Sequence, residues 1–186
     1  MTFTESYVDK LVGTLKNLDL TKVDQAIDIL RDARDNGRTV FTCGNGGSAS
    51  TASHFACDIV KGASFQREKR FRIMALTDNL AALTAYSNDV SYECVFVEQL
   101  KNFAKPGDVV LAISGSGNSP NVLRAVEYAN EIGCRTIAMT GRDGGKLGPL
   151  AEVNIHAKDP HMGRIEDAHL IACHMIGYAF MDQPNL

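Results

Sequence analysis

The stretch from residue 38 to residue 60 constrains the fold most, because it predicts a strand, a glycine-rich turn and a helix in direct succession. Residues 38–43 are mostly β-branched or apolar, which is typical of a buried strand. The turn Gly44–Ser48 contains three glycines, which allow positive φ angles and leave backbone N–H groups uncovered. Residues 49–60 hold no glycine or proline, and Ser48 before them is a favourable N-cap. A helix N-terminus of this kind attracts anions, above all phosphate.

A second unit of the same kind follows farther along the chain. Residues 108–113 are the most clearly predicted strand, and they lead into Ser114–Ser119, after which Pro120 opens a helix. The serine-rich loop offers hydroxyls and free N–H groups, which can surround a phosphate without a metal or a lysine. It lacks the Gly-Lys-Ser/Thr ending of a nucleotide P-loop, so ATP is not the expected ligand. One such loop is most often only a loop, but two at strand–helix junctions favour phosphate binding.

The remaining patterns complete an α/β architecture. Two amphipathic helices are predicted within residues 1–36, and a strand with a glycine-rich turn is predicted at residues 134–145. Further strands are predicted at residues 72–76 and 153–156, further helices at residues 80–86, 92–103 and 164–181, and a turn at Asn88–Asp89. Strands separated by helices predict a single domain with a doubly wound parallel sheet, in which ligands bind beyond the carboxyl ends of the strands.

Composition disfavours several classes of function. The chain of 186 residues carries 19 basic and 22 acidic residues, so an extensive nucleic-acid interface is not expected. No apolar run approaches about 18 residues and no signal-like segment opens the sequence, which disfavours membrane insertion and secretion. The cysteines are odd in number and lack C-x-x-C pairing, which is typical of reduced thiols in a cytoplasmic protein.

Three side chains are candidates for acid–base chemistry or metal binding. His54 and Asp58 lie four residues apart on one helix face, where they form either a surface pair or a functional pair. Their position about two to three turns after the first predicted phosphate site favours function. His174 lies in an apolar stretch, where a histidine is usually a satisfied core residue. It becomes a ligand or a base only if another element supplies partners.

The motifs together resemble those of the sugar isomerase (SIS) domain family. They occur in the family's order, as Gly44–Ser48, His54–Ala56, Asn88–Asp89, Ser114–Ser119, Thr140–Gly145 and the segment from Arg164 to His169. The resemblance extends over nearly the whole chain and is strongest to members that isomerise seven-carbon sugar phosphates. It implies a flavodoxin-like parallel sheet, a homotetramer and active sites at subunit interfaces.

The resemblance also implies roles for particular residues. The family's substrate contacts correspond to Asn45, Gly46, Gly47, Ser48, Asp58, Asn88, Asp89, Ser114, Gly115, Ser116, Ser119 and Glu166. The catalytic positions correspond to Asp58 and His174. The metal positions correspond to His54, Asp58, Glu166 and His174, and zinc is the implied ion.

Two of these positions depart from the family pattern. Asp58 stands where the family usually has glutamate, so its carboxylate reaches one methylene less far. Glu166 stands where the family usually has glutamine, and the additional carboxylate favours either zinc binding or general acid–base catalysis. The family's usual basic residue after the first helix also has no clear counterpart, because Lys61–Ala63 occupies its place.

The spacing of Glu166 and His174 adds a constraint. The two residues are eight positions apart, which separates them by about 12 Å along a helix and by roughly 80° around it. Both side chains would reach one ion from the same straight helix only with strain. We therefore expect a neighbouring chain to supply one of them.

These residues lead to three functional hypotheses. The first is an aldose–ketose isomerase that interconverts sedoheptulose 7-phosphate and D-glycero-D-manno-heptose 7-phosphate through an enediol, with Asp58 moving a proton between carbons and His174 acting at the oxygens. The second is a non-catalytic assembly or regulatory protein of the same family, which the retained His54, Asp58 and His174 disfavour. The third is an isomerase of another sugar phosphate, which the departures at Asp58 and Glu166 leave open.

Overall fold

A five-stranded parallel sheet organises the chain. The computed structural model describes residues 1–183, and every element below lies in that range. The strands are β1 (Thr39–Gly44), β2 (Arg72–Ala75), β3 (Val109–Ser114), β4 (Arg135–Gly141) and β5 (Val153–Ala157). Their order is β2-β1-β3-β4-β5, with all neighbours parallel. This is the flavodoxin-type order, and it confirms the predicted doubly wound α/β fold.

Helices cover both faces of the sheet. They are α1 (Phe3–Lys16), α2 (Leu20–Asp35), α3 (Gly47–Cys57), α4 (Leu80–Asp89), α5 (Val97–Phe103), α6 (Pro120–Glu131), α7 (Leu147–Leu150) and α8 (Met162–Asp182). A π-helical turn (Asp58–Gly62) continues α3, and a 3₁₀ helix (Tyr92–Cys94) precedes α5. Across residues 1–183, no helix has the length and apolar character needed to cross a membrane.

Alternate residues of the central strand fill two separate cores. Val109, Leu111 and Ile113 of β3 are buried in one core together with α2, α3 and α8. Val110 and Ala112 of the same strand are buried in the other core with α5 and α6. Because helices cover this strand on both sides, its sequence is continuously apolar and does not alternate.

The first strand–helix turn is tighter than the sequence indicates. Gly46, with φ of 54°, is the N-cap of α3, and Ser48 lies buried within the first helical turn. The prediction of Ser48 as N-cap is therefore wrong, because the chain reverses at a positive φ that only glycine adopts readily. The helix also does not continue regularly to Val60, since α3 ends at Cys57 and the backbone widens into the π turn.

The segment after β2 differs from the prediction in a similar way. Asn79 caps α4 by accepting a hydrogen bond from the Ala82 N–H at 3.2 Å. The helix then continues through Asn88–Asp89, which was predicted as a turn, and leaves helical geometry only at Val90. Neither asparagine nor aspartate breaks a helix as glycine or proline does, so the pair ends α4 instead of interrupting it.

A buried charge network anchors α1 to α8. Tyr7 Oη donates to Asp167 Oδ2 at 2.6 Å, and Thr14 Oγ1 donates to Asp159 Oδ2 at 2.5 Å. Arg164 donates to both carboxylate oxygens of Asp159, at 2.8 and 2.7 Å. The hydrogen bonds from Arg164 hold the pKa of the Asp159 carboxyl well below its usual range. The ionised carboxylate therefore connects α1 to the start of α8.

The network predicts a stability contribution that depends on pH. Because the pKa of Asp159 is lowered in the folded protein, its stabilising effect is complete above the unfolded-state pKa of about 3.9 and is lost as the pH falls toward the folded-state value. We expect Asp159→Asn to lower the free energy of unfolding by about 2 kcal/mol near neutral pH. The difference from the parent protein should shrink below about pH 4, as measured by urea unfolding across that range.

The exposed ion pair between Asp28 and Arg31, at 2.6 Å, provides a matched control. Exposed pairs contribute little to stability, so Asp28→Asn should change the free energy of unfolding by less than about 0.5 kcal/mol at any of these pH values. If Asp159→Asn has an equally small and pH-independent effect, the network does not anchor α1.

Candidate active site

The two predicted phosphate-binding turns lie side by side at the carboxyl edge of the sheet. Strands β1 and β3 are neighbours, with Gly44 paired opposite Ile113, so the turns that follow them start from adjacent positions. A cavity of about 280 Å³ is lined by residues 45–48, 113–116 and 119, with Met162 and Glu166 from α8. This is the position that a parallel sheet of this order gives to a ligand.

The serine loop, residues 114–119, presents a cluster of hydroxyls to the cavity. Ser114 Oγ lies 3.1 Å from Ser119 Oγ and 3.5 Å from Ser116 Oγ. Ser119 is the N-cap of α6, but its side chain makes no capping hydrogen bond, so its hydroxyl belongs to the cluster. Three hydroxyls beside a helix N-terminus form a suitable cradle for a phosphate.

The glycine-rich turn after β4 supports the serine loop from behind. Gly117 has φ of +64°, and a methyl group at this position would lie 2.1 Å from the carbonyl oxygen of Gly144. The Leu147 N–H donates to the Gly117 carbonyl oxygen at 2.9 Å. The close approach of these two turns therefore fixes the shape of the loop that carries the serine hydroxyls.

His169 holds the end of β4 in place. Its Nε2 lies 3.0 Å from the carbonyl oxygen of Thr140, and burial lowers the pKa of the imidazole to about 4. The ring is therefore neutral near pH 7, and its Nε2–H donates to Thr140. This hydrogen bond fixes the strand end from which the supporting turn begins.

Glu166 lies against the start of α3. A methyl group added at Gly47 would lie 2.4 Å from Glu166 Oε1, so the absence of a side chain at Gly47 is what lets the carboxylate approach. A negative charge at this end of a helix is favourable, because the first N–H groups carry partial positive charge. The carboxylate thus occupies part of the first predicted anion site and leaves the serine loop as the better place for a phosphate.

His54, Asp58 and His174 converge on one point. His54 Nε2 lies 3.1 Å from His174 Nε2 and 3.2 Å from Asp58 Oδ2, and His174 Nε2 lies 3.8 Å from the same oxygen. The three side chains come from α3, the π turn and α8, and each remains partly exposed. Three acceptor atoms this close together repel one another unless a proton or a cation lies between them.

The geometry of this cluster fits a metal ion. Its polar atoms all lie within 4.8 Å of one another. Ligand atoms at about 2.0–2.1 Å from a tetrahedral zinc are separated by about 3.3 Å, and the observed separations are 3.1, 3.2 and 3.8 Å. Two imidazoles and one carboxylate leave the fourth position open, as catalytic zinc sites do.

The structure does not bring Glu166 to this cluster. Glu166 and His174 lie about 12 Å apart along the axis of α8, and Glu166 lines the serine-loop cavity. Of the four residues predicted to bind a metal, three therefore meet within one chain and the fourth lies elsewhere. This separation agrees with the strain expected if both residues of α8 had to reach one ion.

Asn88 and Asp89 belong neither to the residues that line the cavity nor to the cluster. They end α4 at an exposed position, where Asn88 Nδ2 donates to Asp89 Oδ1 at 2.8 Å. Within the described part of the chain, neither residue lines the serine-loop cavity. Their predicted role in substrate binding therefore has no counterpart in the geometry of a single chain.

Two residues that contact the site are not among those predicted from the sequence. Asn121 and Tyr92 both form hydrogen bonds with the side chain of Asn45 in the first turn. Asn121 directly follows the helix-opening Pro120, but its burial, which singles it out, is a property of the folded chain. Tyr92 has no signal in the sequence, because its contact depends on how the segment before α5 folds over the sheet edge.

A flavodoxin-type sheet with a hydroxyl cradle and an imidazole–carboxylate cluster at its carboxyl edge defines an α/β protein that binds a phosphorylated small molecule. The SIS domain family matches residues 5–141, and the chain belongs to this family. The resemblance drawn from the sequence motifs is thereby confirmed.

Several relatives share most of the chain's length. A probable phosphoheptose isomerase of Thermoplasma volcanium is 44% identical over 170 residues, which cover 91% of this chain and 86% of the relative. A phosphoheptose isomerase of Helicobacter hepaticus is 40% identical over 155 residues, which cover 83% and 78%. The solved structure of a phosphoheptose isomerase from Neisseria gonorrhoeae is similar at a TM-score of 0.88 and 30% identity, covering 96% of this chain and 97% of that one.

Gly47→Ala tests the placement of Glu166. The atoms nearest to the added methyl group all belong to the Glu166 carboxylate, which must therefore move. We expect the affinity for a sugar phosphate to fall about tenfold or more, because a charged hydrogen-bond partner is displaced. If inorganic phosphate binds at the serine loop alone, its affinity should change by less than about threefold in isothermal titration calorimetry.

Gly13→Ala is the control for this substitution. Gly13 lies within α1, and a methyl group there would meet nothing within 4 Å. Gly13→Ala gains the helix propensity of alanine and should keep or raise the melting temperature, whereas Gly47→Ala offsets that gain by moving Glu166 away from the start of α3. Equal affinities for a sugar phosphate in the two variants would show that Glu166 does not contribute to binding.

Proposed function

We propose that this protein is an aldose–ketose isomerase that interconverts sedoheptulose 7-phosphate and D-glycero-D-manno-heptose 7-phosphate. The observation that carries the proposal is a hydroxyl-lined cavity and a His–Asp–His cluster to which α8 contributes Glu166 and His174 respectively, in a chain whose relatives are named phosphoheptose isomerases. The rise of about 12 Å from Glu166 to His174 separates a binding end from a reacting end. A sugar phosphate likewise has two separate ends, because its phosphate is remote from its carbonyl.

The phosphate cradle supplies binding energy away from the reacting carbons. The serine loop and the N-terminus of α6 would hold the phosphate, and the turn with Asn45 would hold the sugar oxygens. Fixing the remote end of the substrate places the carbonyl carbon and its neighbour against the cluster, which lowers the entropic part of the barrier.

The chemistry is a proton transfer between neighbouring carbons. The Asp58 carboxylate takes the proton from the carbon beside the carbonyl, which leaves an enediol, and the same group returns a proton to the former carbonyl carbon. His174 moves a proton between the two oxygens. The oxygen of the original carbonyl becomes a hydroxyl, and the neighbouring hydroxyl oxygen becomes the new carbonyl. No atom is gained or lost. His54, with its Nε2 3.2 Å from Asp58 Oδ2, orients the carboxylate.

Zinc binding by the cluster is part of the proposal. His54, Asp58 and His174 would hold the ion, and a bound ion would supply a Lewis acid for the substrate carbonyl in place of the proton transfer by His174. The support is the set of ligand atoms. Two imidazoles and a carboxylate whose atoms converge are typical zinc ligands, and without a cation or a proton between them their lone pairs repel one another.

We also propose a homotetramer with sites at subunit interfaces, built from a single domain and located in the cytoplasm. Large apolar side chains are exposed close to the cluster, namely Val60 in the π turn and Tyr178, whose ring contacts His174. A second subunit would bury them and enclose the reacting end of the site.

The cytoplasmic location is supported by five free cysteines. In this setting the product would supply heptose for lipopolysaccharide or a related surface polysaccharide.

Asp58→Asn tests the catalytic assignment. The amide has the shape of the carboxylate but cannot accept the proton, so we expect kcat for sedoheptulose 7-phosphate to fall by about 10³-fold or more. The substrate KM should change little, because Asp58 does not line the serine-loop cavity. Asp24→Asn, at an exposed position of α2, is the control and should keep full activity. Unchanged turnover in Asp58→Asn would overturn the assignment.

A panel of other sugar phosphates belongs in the same assay. The second candidate function is isomerisation of a sugar phosphate whose hydroxyls are arranged differently from those of sedoheptulose 7-phosphate. The short reach of Asp58 and the carboxylate of Glu166 in the cavity favour it. Faster turnover of a five- or six-carbon sugar phosphate than of sedoheptulose 7-phosphate would select that candidate.

Removal of one imidazole tests the metal assignment. We expect His54→Ala to weaken zinc binding by more than about 100-fold, which is more than the loss of a partner outside the ligand set usually causes. Direct zinc titration against a coloured chelator measures this without reference to activity. Glu166→Gln removes a carboxylate that lies outside the cluster and should leave zinc affinity nearly unchanged. Equal losses in the two variants would place Glu166 among the ligands, supplied by a neighbouring chain.

A further inference from the structure

We propose that Asn121 and Tyr92 are positioning residues that make Asn45 a pure hydrogen-bond donor to the substrate. The proposal rests on the function proposed above, since it assigns the chemistry of one contact in the same cavity. It concerns two side chains that do not themselves line that cavity.

The side chains of Asn45 and Asn121 form a reciprocal amide pair. Asn45 Nδ2 donates to Asn121 Oδ1 at 2.9 Å, and Asn121 Nδ2 donates to Asn45 Oδ1 at 2.9 Å. Tyr92 Oη donates a third hydrogen bond to Asn45 Oδ1 at 2.8 Å. Asn121 is only 2% exposed and lies at the start of α6, directly after the serine loop. The pair therefore joins the glycine turn that contains Asn45 to the start of α6, the helix that follows the serine loop.

A backbone group sets the polarity of the whole network. The Val122 N–H donates to Asn121 Oδ1 at 3.0 Å, and a backbone N–H cannot accept a hydrogen bond. Turning the Asn121 amide over would place its NH₂ group against this N–H. Asn121 is therefore fixed with its oxygen toward Val122, and only one orientation of the Asn45 amide pairs with it. The chemistry thus determines which atom of Asn45 is oxygen and which is nitrogen.

Counting donors and acceptors shows what Asn45 has left for a ligand. Its oxygen has two lone pairs, and both are used, by Asn121 and by Tyr92. Its nitrogen has two hydrogens, and one is used by Asn121. A single N–H remains. Since Asn45 lines the cavity, this N–H can meet only an acceptor, which means a phosphate, carbonyl or hydroxyl oxygen of the sugar phosphate.

The network also prepares the donor before the substrate arrives. A free asparagine amide turns over and rotates, and ordering it on binding costs side-chain entropy. Three hydrogen bonds already hold this amide in one orientation, so its remaining N–H keeps one direction before the substrate arrives. Preorganised donors of this kind stabilise developing negative charge without rearranging.

Asn121→Asp tests the proposal with almost no change in shape. The aspartate still accepts a hydrogen bond from the Val122 N–H, but its second carboxylate oxygen replaces the NH₂ group and faces Asn45 Oδ1. If the Asn45 amide turns over, its oxygen instead faces the carboxylate oxygen that accepts from Val122. Either orientation therefore contains one repulsive oxygen–oxygen contact. We expect kcat/KM for sedoheptulose 7-phosphate to fall about tenfold or more, as it should in Asn45→Ala. In the Asn45→Ala background, Asn121→Asp should lower kcat/KM less than in the parent background, because only the effect of its charge beside the phosphate remains.

Tyr92→Phe is a second variant that does not depend on a buried substitution. Tyr92 is exposed, so removing its hydroxyl leaves the fold intact. It frees one lone pair of Asn45 Oδ1, and we expect a smaller fall in kcat/KM, about threefold, that disappears in the Asn45→Ala background. Asn130→Asp, at the other end of α6, makes the same chemical change away from the cavity and should leave kcat/KM unchanged.

The outcomes separate this proposal from the proposed function. If the parent protein isomerises the sugar but Asn121→Asp keeps full activity, or lowers kcat/KM equally with and without Asn45, the positioning role is wrong. If the parent protein has no isomerase activity, the function is wrong. The same set of variants then tests the network through calorimetric affinity for sedoheptulose 7-phosphate, where the same non-additive losses support it and additive losses overturn it.

Discussion

The parallel pairing of β1 with β3 is the constraint on which the site depends. Gly44 and Ile113 lie opposite each other, so the glycine turn and the serine loop start from neighbouring positions although they are about 70 residues apart in sequence. The reciprocal amides of Asn45 and Asn121 then join the two turns above the sheet edge. A change that shifted the register of these strands would separate the donors of the cavity from one another, whatever happened to the individual side chains.

The sequence predicted the scaffold well because each of its signals is local. The β-branched strands, the glycine turns and the apolar helix stripes all result from backbone preferences within a few residues, and every predicted strand is present within two residues of its predicted bounds. The errors arose where two local signals compete. Ser48 is a good cap by type, yet Gly46 supplies the positive φ that the turn needs one step earlier.

The candidate site was predictable only in its residue types. His54 and Asp58 share a helix face by spacing alone, and the structure places His174 beside them. Sequence spacing also indicated that Glu166 and His174 have difficulty reaching one point, and within one chain they are separate. The amide network of Asn45 could not be predicted, because hydrogen bonds among Asn121, Tyr92 and Asn45 join three segments whose proximity exists only in the folded chain.

A π-helical turn carries the aspartate that stands where the family usually has glutamate. The Ala63 N–H bonds the Asp58 carbonyl oxygen five residues back, so the backbone at Asp58 is wider than in an α-helix. Across the interface, a methyl group at Gly177 of α8 would lie 4.0 Å from Asp58 Cβ. Gly177 thus lies close to Asp58 where α8 packs against the π turn. Despite its shorter side chain, Asp58 places Oδ2 3.2 Å from His54 Nε2 and 3.8 Å from His174 Nε2.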